Sequence, residues 1–333
     1  MDTAFRKSPP APLAPIAFDI SQPFRTTLSN GLEVVLFEEK RLPLVSFRLA
    51  FRSGDINDPK DGTGLTSAVA TLLTEGTETY TSKQLAEKVE RLGASLGAHS
   101  SDDFTTVSAS ALSLYALEVL DLMAEAILRP TFPENELDLY RRNTVEHLKF
   151  QRSQSPFLAG EQAARLVYGS HPYATVSPKA SDIEALGQDT LRAFRSQTYI
   201  PNTAMLIAVG DINSDEFVKE VERQFGSWQQ GTAAFDNYAP PPHRDKRTIT
   251  IVDRPGSAQS NIVLGNLAIE RTSPDYFSVL VMNQVLGAGA SSRIFMNLRE
   301  EKGYTYGAYT RLNTKRLAGD LEATAEVRNE VTG

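Results

Sequence analysis

The sequence contains no cysteine, so thiol nucleophiles, disulfides, zinc ribbons and iron–sulfur clusters are excluded together, and any metal site must come from histidines and carboxylates. Its four histidines, His99, His147, His171 and His243, are scattered, with no pair at the one-turn spacing from which two imidazoles grip one ion. Structural or surface roles are the plainer reading of each. Gly93-Ala94-Ser95-Leu96-Gly97 matches the G-x-S-x-G pattern of a nucleophile elbow. That motif needs a strand before it and a helix after it, and here a helical pattern precedes and a strand follows. Gly287-Ala288-Gly289-Ala290-Ser291 suggests a phosphate loop, yet no lysine follows at the required place. A helix cap followed by an N-cap serine accounts for those residues. Arg299 and Tyr306 stand seven residues apart, Arg299 near the end of a helical pattern and Tyr306 in the following strand, with Gly303 between them placed as a left-handed cap. From these residues alone, Arg299 capping its helix and Tyr306 packing in a sheet is the favoured explanation, since helix C-termini attract Arg in any case.

Composition narrows the classes further. With 333 residues, 41% hydrophobic and 23% charged, the chain can bury two cores, which excludes disordered and fibrous readings. The net charge of −7, without a run of Lys or Arg, argues against a nucleic-acid or anionic-membrane partner, either of which needs a clustered positive field. The first twenty residues hold no apolar signal-peptide core, and no segment reaches the ~20 apolar residues of a membrane helix. A soluble, cytoplasmic protein is expected, periplasmic if a leader was removed.

The elements that must position these groups are read from periodicity. Residues 1–23, with Pro9, Pro10, Pro12 and Pro15, read as an extended arm. A first domain, 24–230, opens with a hairpin turning at Ser29-Asn30-Gly31 and a third strand at Leu44–Phe51. Helical patterns follow at Leu65–Leu73 and Ser82–Leu92, strands near 94–99 and 105–111, helices over 114–128, 134–151, 156–168 and 191–197, a strand at Ala204–Val209 and a helix at Ser214–Phe225. A proline-bearing linker, 231–247, leads to a second domain, 248–333. Strands are expected there at Thr248–Val252 and Ile262–Leu267, helices at Pro274–Leu286 and Ser291–Arg299, and strands at Tyr304–Leu312 and Leu321–Val327. That order repeats the opening of the first domain and suggests a duplicated module.

SNGLEVVLFE, Gly64-Leu65 through Glu75-Gly76-Thr77, SKQLAEKVERLGA, His171-Pro172-Tyr173 and YIPNTAMLIAVGDIN from Tyr199, in this order and spacing, resemble the pitrilysin/insulinase zinc peptidases, among them the mitochondrial processing peptidase, over nearly the whole chain. The resemblance implies an α+β fold of two related domains, each a mixed sheet with helices packed mainly on one face. The second is expected to be incomplete, stopping after its fourth strand. Active members carry His-x-x-Glu-His on the helix between Gly64-Leu65 and Gly76-Thr77, two imidazoles for zinc and a glutamate as general base. Here the matching positions are Ser67, Ala70 and Thr71, none able to do that chemistry. The third ligand would fall near His147 or Leu148, where the nearest carboxylate is Glu146. The segment Ser291–Tyr306, by contrast, is similar to the one from which active members present an Arg and a Tyr to substrate. A guanidinium and a phenol suit the negative carbonyl oxygen of a tetrahedral intermediate.

The resemblance therefore implies a subunit without bound zinc, half of a heterodimer, that supplies Arg299 and Tyr306 to peptide substrates at a zinc site on a homologous partner chain. A catalytically inactive scaffold, and a peptide-binding homodimer without hydrolysis, are the competing readings. The retained Arg/Tyr pair weighs against the scaffold, which has no oxyanion to stabilise.

Overall fold

The structure, a computed structural model, describes residues 13–14, 22–232 and 237–333. The expected arm therefore lies mostly outside the described residues, as does part of the expected linker. The first sheet holds β1 (Phe24–Thr27), β2 (Glu33–Glu38), β3 (Leu44–Phe51), β4 (Ser95–Ser100), β5 (Thr105–Leu112) and β6 (Ala204–Gly210), in the order β1-β2-β6-β3-β5-β4. Its helices are α1 (Leu65–Leu72), α2 (Ser82–Arg91), α3 (Ala116–Leu128), α4 (Glu134–Arg152), α5 (Ser155–Tyr168), α6 (Ala180–Glu184), α7 (Gln188–Thr198) and α8 (Ser214–Phe225). The opening hairpin is antiparallel, as the Ser29-Asn30-Gly31 turn predicts. Gly31 takes φ +84° there, and the Asn30 amide donates to the Phe225 carbonyl at 2.7 Å, tying the turn to the end of α8.

Alternation along β3 sends Val45, Phe47, Leu49 and Phe51 into one core with Leu206 of β6, Leu65, Val69 and Leu72 of α1, and Leu120 and Met123 of α3. Phe47 stacks on Phe217 of α8 at 5.2 Å between ring centres. The opposite side of β3 shows Ser46 and Arg48 to solvent. Polar residues on that side leave the helices one face to cover, as half-buried antiparallel strands require.

The second unit contains β7 (Gln259–Ala268), α9 (Tyr276–Leu286), α10 (Arg293–Phe295), β8 (Thr305–Thr314) and β9 (Gly319–Arg328), with sheet order β7-β9-β8, all antiparallel. In the first unit β3, α1, α2, β4 and β5 follow one another and give the sheet order β3-β5-β4. In the second, β7, α9, α10, β8 and β9 give β7-β9-β8. Chain order, sheet order and strand sense agree, so the duplication is visible in topology although the two sequences have diverged.

One expected strand is absent. Thr248–Val252 forms no ladder, and Ile249 and Ile251 are 84% and 85% exposed. The reason lies in the first sheet, where β2 reaches β3 only through β6, parallel to β2 and antiparallel to β3. Among the described residues nothing occupies β6's place beside β7, so the segment has no backbone partner. Two helices also shift: α7 starts before the expected Leu191, and the helix expected over Ser291–Arg299 begins at Arg293, Ser292 being its N-cap residue without a side-chain cap bond. The helix α6 carries no periodic signal over its five residues.

The two sheets join where α5 packs against β7 and where the β8–β9 turn meets the β4–β5 turn. Lys315 Nζ lies 3.0 Å from Asp102, and the Arg316 amide donates to Asp103 at 2.9 Å. Tyr173 donates to Asp103 at 2.5 Å and accepts from the Leu317 amide, while Tyr168 donates to Asp320. Burial, then the facing carboxylate, raises the pKa of each phenol, so both stay protonated donors. His171 sits against Tyr173, accepting its amide proton on Nδ1; burial and Lys315 lower its pKa, so it serves as a neutral turn cap. Replacing Tyr168 by Phe leaves buried Asp320 with Asn313 as its remaining side-chain donor. We expect Tyr168→Phe to cost about 1–3 kcal/mol, the penalty for an under-bonded buried acceptor, read as a lowered urea midpoint; an unchanged midpoint would show that the junction does not depend on this bond.

Candidate functional site

Two groups of residues bear on chemistry, and each is placed by local rules. The first lies on α1, where Ser67 and Thr71 stand one turn apart and Ala70 is fully buried between α1 and the core. Thr71 Oγ1 donates to the Ser67 carbonyl at 2.8 Å, a bond within the helix that leaves no outward donor set. Across from it, Tyr140 of α4 lies beside Ser67 and Thr144, and burial raises its pKa, so the phenol is neutral. Further along α4, Glu146 is turned to solvent and bonded to Lys149 at 2.7 Å, His147 is exposed, and Leu148 is buried in the core. Neutral hydroxyls and a phenol in these places do not fit zinc. Among the described residues, no three or more His, Cys, Asp or Glu gather as metal ligands.

The second group sits where α10 runs on into β8. Beyond Phe295 the helix widens, and Met296–Glu301 is wound as π-helix, a form that recurs at functional sites. Arg299 belongs to this turn, so the helix reaches past the expected end. Gly303 closes it at φ +65°, with the Tyr304 amide donating to the Leu298 carbonyl at 3.0 Å, the left-handed cap that the sequence predicts. The strand then begins irregularly. Thr305 pairs with Val327 and Ala308 with Ala325, so three steps on β8 match two on β9, a bulge centred on Tyr306 and Gly307. Tyr306 is 91% exposed, and Arg299 is held by Glu300 at 2.8 Å and by the Phe295 ring. No hydrogen bond joins Arg299 to Tyr306, and none links either to α1.

Neither the π turn nor the bulge has a sequence signal that periodicity detects. A further feature was missed: among the described residues β4 is an edge strand whose outer side is unpaired, and it packs against α1. Its position could have been found only by knowing the strand order. The G-x-S-x-G segment joins α2 to β4, and Ser95 Oγ bonds to Ser110 Oγ at 2.8 Å, a cross-strand contact with no imidazole. Gly287 lies against Thr310, whose amide donates to its carbonyl at 2.9 Å, so the glycine-rich stretch is a packing contact.

Two family models match in tandem. One, described as insulinase (peptidase family M16), covers residues 34–168; the other, described as peptidase M16 inactive domain, covers residues 185–332. The chain belongs to the M16, or insulinase, peptidase family. Its relatives include an uncharacterized zinc protease, YmxG, of Bacillus subtilis, 26% identical over 287 residues, which cover 86% of this chain and 69% of that protein. Another, described as a non-peptidase homolog, from Helicobacter pylori, is 24% identical over 85% of this chain and 66% of its own length. A crystal structure of a peptidase M16 inactive domain from Pseudomonas fluorescens superposes with a TM-score of 0.85 at 27% identity, covering 93% of this chain and 75% of that one. The M16 fold and the α+β architecture of two related domains are thereby established. The second M16 match begins inside the first sheet unit, before α7 and β6. No helix among the described residues is long and apolar enough to cross a membrane.

The helix α1, LTSAVATL, carries no imidazole or carboxylate donor. Zinc added to the purified chain and removed by desalting is expected to leave far less than one equivalent bound, by mass spectrometry. Ser67→His combined with Thr71→His, two imidazoles one turn apart, should retain measurable zinc where either single change does not; stoichiometric zinc on the unaltered chain would overturn this reading of α1.

Proposed function

We propose that this chain is the non-zinc-binding subunit of a heterodimeric zinc metallopeptidase, supplying Arg299 and Tyr306 to bind peptide and stabilise the oxyanion at a zinc site on a homologous partner chain. The observation that carries the reading is the contrast between the two groups: α1 lacks donors, while Tyr306 projects from a bulge, 91% exposed, with no hydrogen-bond partner among the described residues. Arg299 and Glu300 form an exposed pair, worth roughly 0–1 kcal/mol, so the guanidinium is readily exchanged onto a substrate oxygen. There it donates together with the Tyr306 hydroxyl to the carbonyl oxygen as it gains charge. A zinc ion on the partner would supply the activated water; this chain binds, orients and neutralises. The unpaired edge of β4 offers an extended peptide backbone hydrogen bonds, which suits unfolded peptides of varied sequence.

A second reading, peptide binding without hydrolysis, is favoured by the description of the Helicobacter pylori relative as a non-peptidase homolog. Cleavage of a mixed-peptide pool separates the two. The chain alone is expected to be inactive, and activity should appear when it is combined with an M16 chain bearing His-x-x-Glu-His. Arg299→Ala or Tyr306→Phe should lower that activity by roughly 10²-fold, as loss of an oxyanion donor does. Activity of the partner that neither this chain nor its variants alter would leave the binding reading in place.

A further inference from the structure

Arg299 and Tyr306 share no contact, yet both rest on the same small set of side chains. The Arg299 guanidinium lies over the Phe295 ring, 5.0 Å from its centre. The buried Phe295 ring packs in turn against Tyr309 of β8, 5.4 Å between centres. Tyr309 folds back over Gly307, inside the bulge: a Cβ on Gly307 would stand 2.6 Å from Tyr309 Cε2, so only a glycine leaves room for the ring. On the other side of the bulge, Thr305 Oγ1 donates to the Gly307 carbonyl at 2.8 Å and lies 3.1 Å from the Gly307 amide nitrogen, which donates back to it. One hydroxyl thus fixes the excursion that turns Tyr306 outward.

We infer that Phe295, Tyr309, Gly307 and Thr305 form a positioning platform that sets the distance between the Arg299 guanidinium and the Tyr306 hydroxyl within this chain, before any partner or peptide arrives; the inference rests on the proposed role of that pair. Phe295 holds the cation from below, Tyr309 transmits the position of that ring to the bulge, and Thr305 locks the bulge itself. Two long side chains on separate elements would otherwise sample many separations, and placement errors near 1 Å can cost about 10²-fold in rate. These residues touch no reacting atom; they act through the two that do.

Gly307→Ala displaces the Tyr309 ring, a flexible side chain that can yield without unfolding the sheet, and Thr305→Val removes the hydroxyl while keeping its shape. Phe295→Leu removes the aromatic face. With the arginine side chains labelled with nitrogen-15 at Nε in the full chain, the Arg299 Nε–Hε resonance should carry the ring-current shift of Phe295. That shift should be lost in Phe295→Leu and moved in Gly307→Ala. In the mixture with the zinc-binding chain, Gly307→Ala and Thr305→Val should each lower peptide cleavage roughly 10-fold or more. Thr305→Val should add nothing once Tyr306→Phe is present, and Gly307→Ala nothing once both Arg299→Ala and Tyr306→Phe are present. An Arg299 resonance indifferent to Phe295→Leu and Gly307→Ala would overturn the platform, as would penalties that multiply in the combined variants. If Arg299→Ala and Tyr306→Phe leave cleavage unchanged, the proposed catalytic role has failed, and the resonance alone decides the platform. Phe295 is buried, and should its variant fail to fold, Gly307→Ala decides the resonance test.

Discussion

Two phenols and two buried carboxylates, Tyr168 with Asp320 and Tyr173 with Asp103, meet where the two sheets join, and the geometry of everything downstream depends on them. The phenols belong to the first unit and Asp320 to the second, while Asp103 of the first also receives the backbone of Arg316. A buried carboxylate without donors is costly, so these bonds hold one relative placement of the units and exclude others. The strand β8 ends at this junction and carries Tyr306 near its start, eight residues before Thr314, roughly 26 Å at the rise of a strand. Fixing the turn after β8 therefore fixes the line along which Tyr306 is presented.

The α1 region shows that a helix without metal donors still fills its place in the core. Leu65, Ala68, Val69 and Leu72 fill the core beneath β3. The Thr71 hydroxyl closes onto the helix backbone, and Ser67 lies beside the buried phenol of Tyr140. Glu146 and Lys149 pair in solvent, where the ion pair contributes little and constrains little.

Repetition of the β3-β5-β4 topology as β7-β9-β8 explains both what the second unit shares and what it lacks. The shared part is the module that can be built from consecutive elements and short connections. The missing ladder at Thr248–Val252 needs a bridging strand that, in the first unit, arrives more than 150 residues after β3, at β6. Backbone groups on the outer edge of β7 are thus unpaired within the described residues, and the apolar Ile249 and Ile251 remain in solvent.

By itself the sequence determined the local elements, most helices and strands to within a few residues, the family, the absent donors at Ser67, Ala70 and Thr71, and the left-handed cap at Gly303. Each of these depends on residue type and near-neighbour spacing: alternation in β3, helical period in α3 and α4, a glycine where φ must be positive. The tertiary structure alone decided that, among the described residues, Thr248–Val252 stays unpaired and β4 is an edge, that Tyr140 lies beside Ser67, and that the rings of Phe295 and Tyr309 lie between Arg299 and the bulge of Tyr306. Those facts depend on which distant segments arrive as neighbours. A π turn and a bulge are likewise small displacements within helix and strand, set by packing between α10 and β8 and by one threonine hydroxyl, and periodicity in a sequence does not record them.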